Sequence, residues 1–256
     1  MIIRTAEERA DMLEAGRRFG IILETLASEV RPGVSTQELD ARAEELIRAG
    51  GDTPPFKGYT PEGAHHPFPA ALCISVNDEV VHGIPSGRIL KEGDIVSLDL
   101  GLTHNGMIVD SAVTVPVGKT DAQSYALMDV TRAALEAGMQ AARPGKRIGD
   151  ISHAIEQAYE GSGFSIVKIL GGHGVGAEVH EEPFVANIGY PGTGPEIVAG
   201  MVLALEPIAN MGRGGVHILP DGYTFATKDG SRSAHFEHTI LIEEDQTIVV
   251  TKRPSE

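Results

Sequence analysis

Apolar residues recur at helical spacing in two stretches near the start of the chain and in two more in its second half. Thr5 and Glu8 have the form of a helix capping box. Behind them Met12, Leu13, Phe19, Ile22, Leu23 and Leu26 fall on one helical face, and Arg31-Pro32-Gly33 ends the pattern. Ser35 and Glu38 form a second box. It is followed by Leu39, Ala43, Leu46 and Ile47, with Gly50-Gly51 as the stop. Residues 52–69, rich in Pro, Gly and His, read as a long surface loop. Strand patterns cover 71–76, 95–102 and 107–117, and Asn105-Gly106 between the last two predicts a tight hairpin. Helices are predicted over about 121–142 and 150–160, broken by Arg143-Pro144-Gly145. Strands return around 164–170, 201–208 and 239–250, with Gly-rich connections.

The pattern repeats. Val30-Arg31-Pro32-Gly33 and Ala142-Arg143-Pro144-Gly145 each precede a helix, 112 residues apart (145 − 33). The run from Gly93 to Asp99 parallels the run from Gly200 to Glu206, and Val81-His82 with Pro85 parallels Val179-His180 with Pro183. Three echoes in nearly one order imply a duplicated helix–helix–strands unit, with two halves facing each other across one cleft. The expectation is a single domain, 1–256, with halves at about 1–118 and 119–256.

The strands carry polar residues where apolar ones belong. Asp99, Asp110, Glu206 and Glu237 each sit inside an apolar run, and these runs contain no Lys or Arg. Buried carboxylates without a partner are costly, so a metal ion is the economical partner. If Asn105-Gly106 is a two-residue turn, paired positions sum to 211. Asp99 then opposes Ala112 and Asp110 opposes Gly101, which puts both aspartates on one face of neighbouring strands. His173 lies among Gly171, Gly172, Gly174 and Gly176, where a ligand can approach closely. Two Asp, two Glu and one His form an oxygen-rich set suited to Mn²⁺, Fe²⁺, Co²⁺ or Zn²⁺, and better to two bridged ions than to one. His65, His66, His104, His153 and His217 read as surface or structural. His235 and His238 flank Glu237 without ligand-like placement.

Composition narrows the partners. Asp plus Glu number 36 against 21 Lys plus Arg, a formal charge of −15, which argues against nucleic acid as the main ligand. Cys73 stands alone, so no internal disulfide is possible and a reducing compartment fits. No run approaches the ~18 apolar residues of a membrane span, and the first residues show no signal-peptide core. The expectation is a cytoplasmic protein that engages no membrane. Nothing in the pattern signals an oligomer, which leaves a monomer as the default.

Together, His82-Gly83-Ile84-Pro85, Asp99, Asp110, Gly172-His173-Gly174, His180-Glu181-Glu182-Pro183, Leu205-Glu206-Pro207 and Phe236-Glu237-His238-Thr239 resemble the type I methionine aminopeptidases over nearly the whole chain. The resemblance implies an α+β, pseudo-twofold pita-bread fold, with duplicated helix–helix–strands halves around a central antiparallel sheet. It also implies hydrolytic removal of the initiator methionine from nascent chains near the ribosome, with a small second residue preferred. Asp99 would chelate one of two divalent ions (cobalt, manganese, iron or zinc), Asp110 and Glu237 would bridge both, and His173 and Glu206 would complete the other shell. Glu206 would also shuttle a proton, while His82 and His180 would orient substrate and stabilise the tetrahedral intermediate. Tyr59, Phe68, Cys73, Val179 and Tyr223 would line the methionine pocket. The chain departs from the family where Val179 replaces an aromatic, Tyr223 a Trp and His235 a Gln, and in a longer 60–67 loop.

Other readings have less support. A proline-directed peptidase of the same fold carries an extra N-terminal domain for which 256 residues leave no room. A non-catalytic pita-bread protein would have lost ligands. Gly-x-Ser-x-Gly and His-Glu-x-x-His are absent, and Gly172, Gly174 and Gly176 are only a weak nucleotide-like match.

Overall fold

Both N-terminal capping boxes close. Thr5 Oγ1 accepts the Glu8 N–H at 3.1 Å and the Glu8 carboxylate accepts the Thr5 N–H at 3.1 Å, starting α1 (Ala6–Glu29). Ser35 and Glu38 do the same for α2 (Thr36–Ala49). Asp121 accepts the Ser124 N–H at 2.8 Å and starts α3 (Ala122–Ala141). The last helix, α4 (Ile148–Ala158), begins two residues earlier than its apolar pattern predicts. Asp150 lies inside the first turn, where its carboxylate accepts the Arg147 N–H at 2.7 Å. This computed structural model describes residues 1–61 and 63–256; the part of the extended 60–67 loop at Glu62 lies outside the described residues.

The strands are β1 (Leu72–Val76), β2 (Glu79–Val81), β3 (Ile95–His104), β4 (Met107–Pro116), β5 (Ser165–Ile166), β6 (Gly171–Gly174), β7 (Glu181–Ala186), β8 (Val202–Leu205), β9 (Ile208–Asn210), β10 (Val216–Ile218), β11 (Phe225–Thr227), β12 (Ser233–His235), β13 (His238–Ile242) and β14 (Thr247–Val249). All pairing between them is antiparallel. It divides into four ladders rather than one sheet: β1-β3-β4, β10-β11-β2, β12-β9-β5 and β14-β13-β8-β6-β7. The 201–208 segment splits into β8 and β9 at Glu206-Pro207, where proline cannot donate to a ladder. Of 164–170 only β5 is a strand, and 239–250 separates into β13 and β14. The 171–174 and 181–186 segments, read as Gly-rich connection, are β6 and β7. A Cβ on Gly172 would meet the Ala204 carbonyl oxygen at 2.1 Å, so only glycine lets β6 lie this close to β8.

Met12, Phe19, Leu23 and Leu26 of α1 are fully buried against β3 and β4, each contributing about 1.5–3 kcal/mol relative to exposure. In the second half, α3 and α4 pack on each other and against β12 and β7. Contacts recur between the halves. Gly33 N–H donates to Leu90 O, and Gly145 N–H to Ile197 O, both at 2.9 Å. Thr36 N–H donates to Arg88 O, and Ile148 N–H to Pro195 O, both at 3.0 Å.

The Asn105-Gly106 turn has φ of +47° and +84°, the signature of a two-residue turn that matches strand twist. Asp99 pairs with Ala112 and Gly101 with Asp110, the register expected from the sequence. The β3–β4 ladder meets the five-stranded ladder through β13. Glu237 N–H donates to Ala112 O at 2.9 Å, Asp110 N–H donates to Thr239 Oγ1 at 3.0 Å, and that hydroxyl donates back to Asp110 O at 2.7 Å. Ser111 Oγ also donates to Glu237 O. This seam, sewn by side-chain and backbone bonds between two ladders, places Asp110 beside Glu237.

Candidate metal centre

A cleft opens over the seam. Its lining includes all twelve site residues expected from the sequence: Asp99, Asp110, His173, Glu206, Glu237, His82, His180, Tyr59, Phe68, Cys73, Val179 and Tyr223. Phe56 and Pro61 line it too. Sequence reading missed them because they sit in the 52–69 loop, which has no periodicity to say which residues turn inward. No Lys or Arg is among the lining residues.

The five expected donors arrive from both ladders. Asp99 and Asp110 come from β3 and β4, His173 from β6, Glu206 from the end of β8, and Glu237 from the approach to β13. His173 pairs with Ala204, two residues before Glu206, which brings the histidine and that glutamate to one side. Ligand atoms of Asp110, His173 and Glu237 all lie within 4.8 Å of one another. His173 Nε2 is 3.7 Å from Glu206 Oε1. Its Nδ1 stands 2.9 Å from Gly174 O, an acceptor only, so Nδ1 carries the ring proton and Nε2 presents its lone pair. Burial holds that ring neutral, with its pKa lowered to about 3.

The carboxylates are electrostatically frustrated without a cation. Burial pushes Asp99 up to about 7. Burial, reinforced by neighbouring carboxylates, raises Asp110, Glu206 and Glu237 well above the ordinary range. Asp99 Oδ1 and Asp110 Oδ1 are buried with no hydrogen-bond partner. Hard oxygen donors, a neutral imidazole and orphaned carboxylate oxygens are a donor set that fits divalent metal.

His82 stands apart in conformation. Its φ is +59°, a left-handed backbone that costs a non-glycine residue about 1–3 kcal/mol. It is followed by Gly83, where a Cβ would meet Ile74 O at 2.2 Å. Burial lowers the His82 pKa to about 4, so the ring is neutral near pH 7. Across the cleft, His180 Nδ1 lies 3.0 Å from the Tyr59 hydroxyl, and its ring centre is 4.5 Å from that of His173.

The model of metallopeptidase family M24 matches residues 10–244. The chain belongs to metallopeptidase family M24. It is 44% identical over 252 residues to a methionine aminopeptidase of Bacillus subtilis, covering 98% of this chain and 99% of that protein. The crystal structure of a methionine aminopeptidase from Thermotoga maritima superposes with a TM-score of 0.93 at 42% identity, covering 99% of this chain and all of that one. The prolidase of Pyrococcus furiosus shares the fold at a TM-score of 0.74 but only 23% identity, and this chain spans 65% of it. The fold of this M24 chain is therefore the pita-bread fold expected from its motifs.

The histidines of the M24 chain divide sharply. His65 and His66 are exposed, and the His66 ring centre lies 5.0 Å from that of Tyr223. His104 pairs with Asp52 at 2.7 Å, and His238 faces away, its Nδ1 3.0 Å from Thr251 Oγ1. His235 is the residue that sequence reading set aside and the structure brings in. It is buried, with Nε2 3.6 Å from Glu206 Oε2 and 3.8 Å from Glu237 Oε2. Its spacing of two from Glu237, which in extended chain shares a face, was the available signal.

Proposed function

We propose that the chain removes N-terminal methionine from proteins and peptides with the help of two divalent metal ions. The observation that carries this is the convergence of four carboxylates with raised pKa values, three of them buried and Glu206 nearly so, and one neutral imidazole in one cleft, in a relative of methionine aminopeptidases. Asp99, Asp110, His173, Glu206 and Glu237 would hold the ions. Bound there, the ions would polarise the scissile carbonyl and ease deprotonation of the attacking water.

The chain's own groups do the rest. Tyr59, Phe68, Cys73, Val179 and Tyr223, with Phe56 and Pro61, form the slot for the methionine side chain. The thioether needs shape and polarizability more than hydrogen bonds. Burial keeps the Cys73 thiol well above its ordinary pKa, so it packs as a small apolar group. With the Tyr59 hydroxyl donating to Nδ1, His180 keeps its proton on Nε2 as a donor for the substrate carbonyl oxygen. His82, held in place by its strained backbone, supplies the second donor as charge develops on that oxygen. Glu206 takes the proton of the attacking water and delivers it to the departing amine as the C–N bond breaks.

We read the chain as one catalytic domain with halves at about 1–118 and 119–256, working as a monomer in the cytoplasm near the ribosome. Among the described residues no helix is long and apolar enough to cross a membrane. The test is hydrolysis of Met-Ala-Ser and Ala-Pro-Ala peptides after chelation and after restoring Mn²⁺, Fe²⁺ or Co²⁺. Methionine release that vanishes and returns with metal is expected; faster cleavage before proline would overturn the assignment.

A further inference from the structure

An imidazole buried in protein normally finds partners for both nitrogens, because each loses its hydration on burial. His235 does not: it is 1% exposed and both ring nitrogens lack a hydrogen-bond partner. Its backbone is clamped. The His235 N–H donates to Thr114 Oγ1 at 2.9 Å, and that hydroxyl donates to His235 O at 2.7 Å. Since the single hydroxyl proton of Thr114 is then committed, the Ser97 hydroxyl 2.8 Å away donates to it in turn. His235 also pairs with Ile208 across the β12–β9 ladder. The backbone held this way fixes where the side chain starts, and its Nε2 lies 3.6 Å from Glu206 Oε2 and 3.8 Å from Glu237 Oε2. Those separations exceed a hydrogen bond, but a shift well under an ångström closes either one.

Glu206 thus lies between two imidazoles. His173, on the Oε1 side, gives its Nδ1 proton to Gly174 O and turns a lone pair inward. His235, on the Oε2 side, has no acceptor at Nδ1; once metal displaces the protons of Glu206 and Glu237, two ionised carboxylates face Nε2, so in that state its proton belongs on Nε2. A protonated nitrogen donates and does not ligate. We propose that His235 is a positioning residue of the metal centre, its Nε2–H donating to Glu206 and Glu237 and fixing the orientation in which they hold the ions. This inference rests on the reading that these two glutamates bind metal. Outer-sphere donors of this kind typically change metal affinity about 10–100-fold when removed.

The experiment measures Mn²⁺ binding by titration calorimetry to the full chain, freed of metal, alongside thermal unfolding of the metal-free protein. His235→Leu is expected to bind Mn²⁺ about 10–100-fold more weakly. Its metal-free melting temperature should equal or exceed that of the unsubstituted chain, because an unpartnered imidazole has been replaced by an apolar group. His235→Gln, whose amide N–H can reach the same carboxylates, is expected to keep the original affinity. Unchanged Mn²⁺ affinity in His235→Leu would overturn the inference. So would a His235→Gln variant as defective as His235→Leu, since the ring itself would then be a ligand. An Asp110→Asn control separates the two levels: if it and the unsubstituted chain both fail to bind Mn²⁺, the metal-site reading itself falls.

Discussion

Asp99, Asp110, Glu206 and Glu237 share a cleft whose lining includes no Lys or Arg, and that arrangement has a price in proton affinity. Asp99, raised by burial to about 7, is largely protonated below that pH, and burial with neighbouring carboxylates raises the other three well above the ordinary carboxylate range. A divalent ion must displace those protons, so metal affinity rises with pH through the neutral range and proton release accompanies binding. Calorimetric titration of Mn²⁺ at pH 6 and pH 8, each in two buffers of different ionisation enthalpy, checks both the tighter binding and the released protons at the lower pH. His82 has a different role and a different signature. His82→Ala is expected to retain its metal content, measured by elemental analysis, while kcat falls on the order of 10²-fold or more. Loss of metal instead would move His82 into the ligand set.

Elements decide whether those residues meet. The hairpin arithmetic that set Asp99 against Ala112 was legible because Asn105-Gly106 permits one compact turn, and apolar alternation forbids a one-residue slip. The strand carrying His173 was not legible. In β6 the glycines serve close backbone approach, Gly172 to β8 and Gly171 and Gly174 to β7, which erases the side-chain periodicity by which strands are recognised. His235 escaped for a related reason: β12 is three residues long, too short to establish a face. Thr239 was equally invisible, since nothing in sequence says that its hydroxyl both accepts from and donates to the backbone of Asp110. Thr239→Val keeps the shape and removes both bonds. Leaving that buried N–H and C=O unpaired costs about 1–3 kcal/mol for each group. Thermal unfolding should show a lowered midpoint, and Mn²⁺ binding should weaken because Asp110 is no longer registered against Glu237.

At the scale of the molecule, charge and stability are coupled through the same site. With two divalent ions bound the formal charge is −11 (−15 + 4), and in the metal-free chain protons retained on the same four carboxylates offset part of that difference. Ligand that binds only the folded chain stabilises it by about 2.7 kcal/mol at a hundredfold excess over Kd. For a chain of this size that corresponds to a rise of roughly 5–10 °C in the unfolding midpoint. A chelator should lower the midpoint by that amount, and titrating Mn²⁺ back should restore it in a concentration-dependent way. A midpoint indifferent to metal would mean that the cleft carboxylates are accommodated as neutral acids.

The seam between the ladders also sets a clock. Asp99 and Asp110 leave the ribosome early, whereas Glu237 and Thr239 follow more than a hundred residues later (237 − 110 = 127). Such distant pairings are the slow ones to form. The first half can collect its helices and its aspartate hairpin during synthesis, but no growing fragment contains a complete metal site. The ability to cut other chains therefore arrives only after Glu237 has been made.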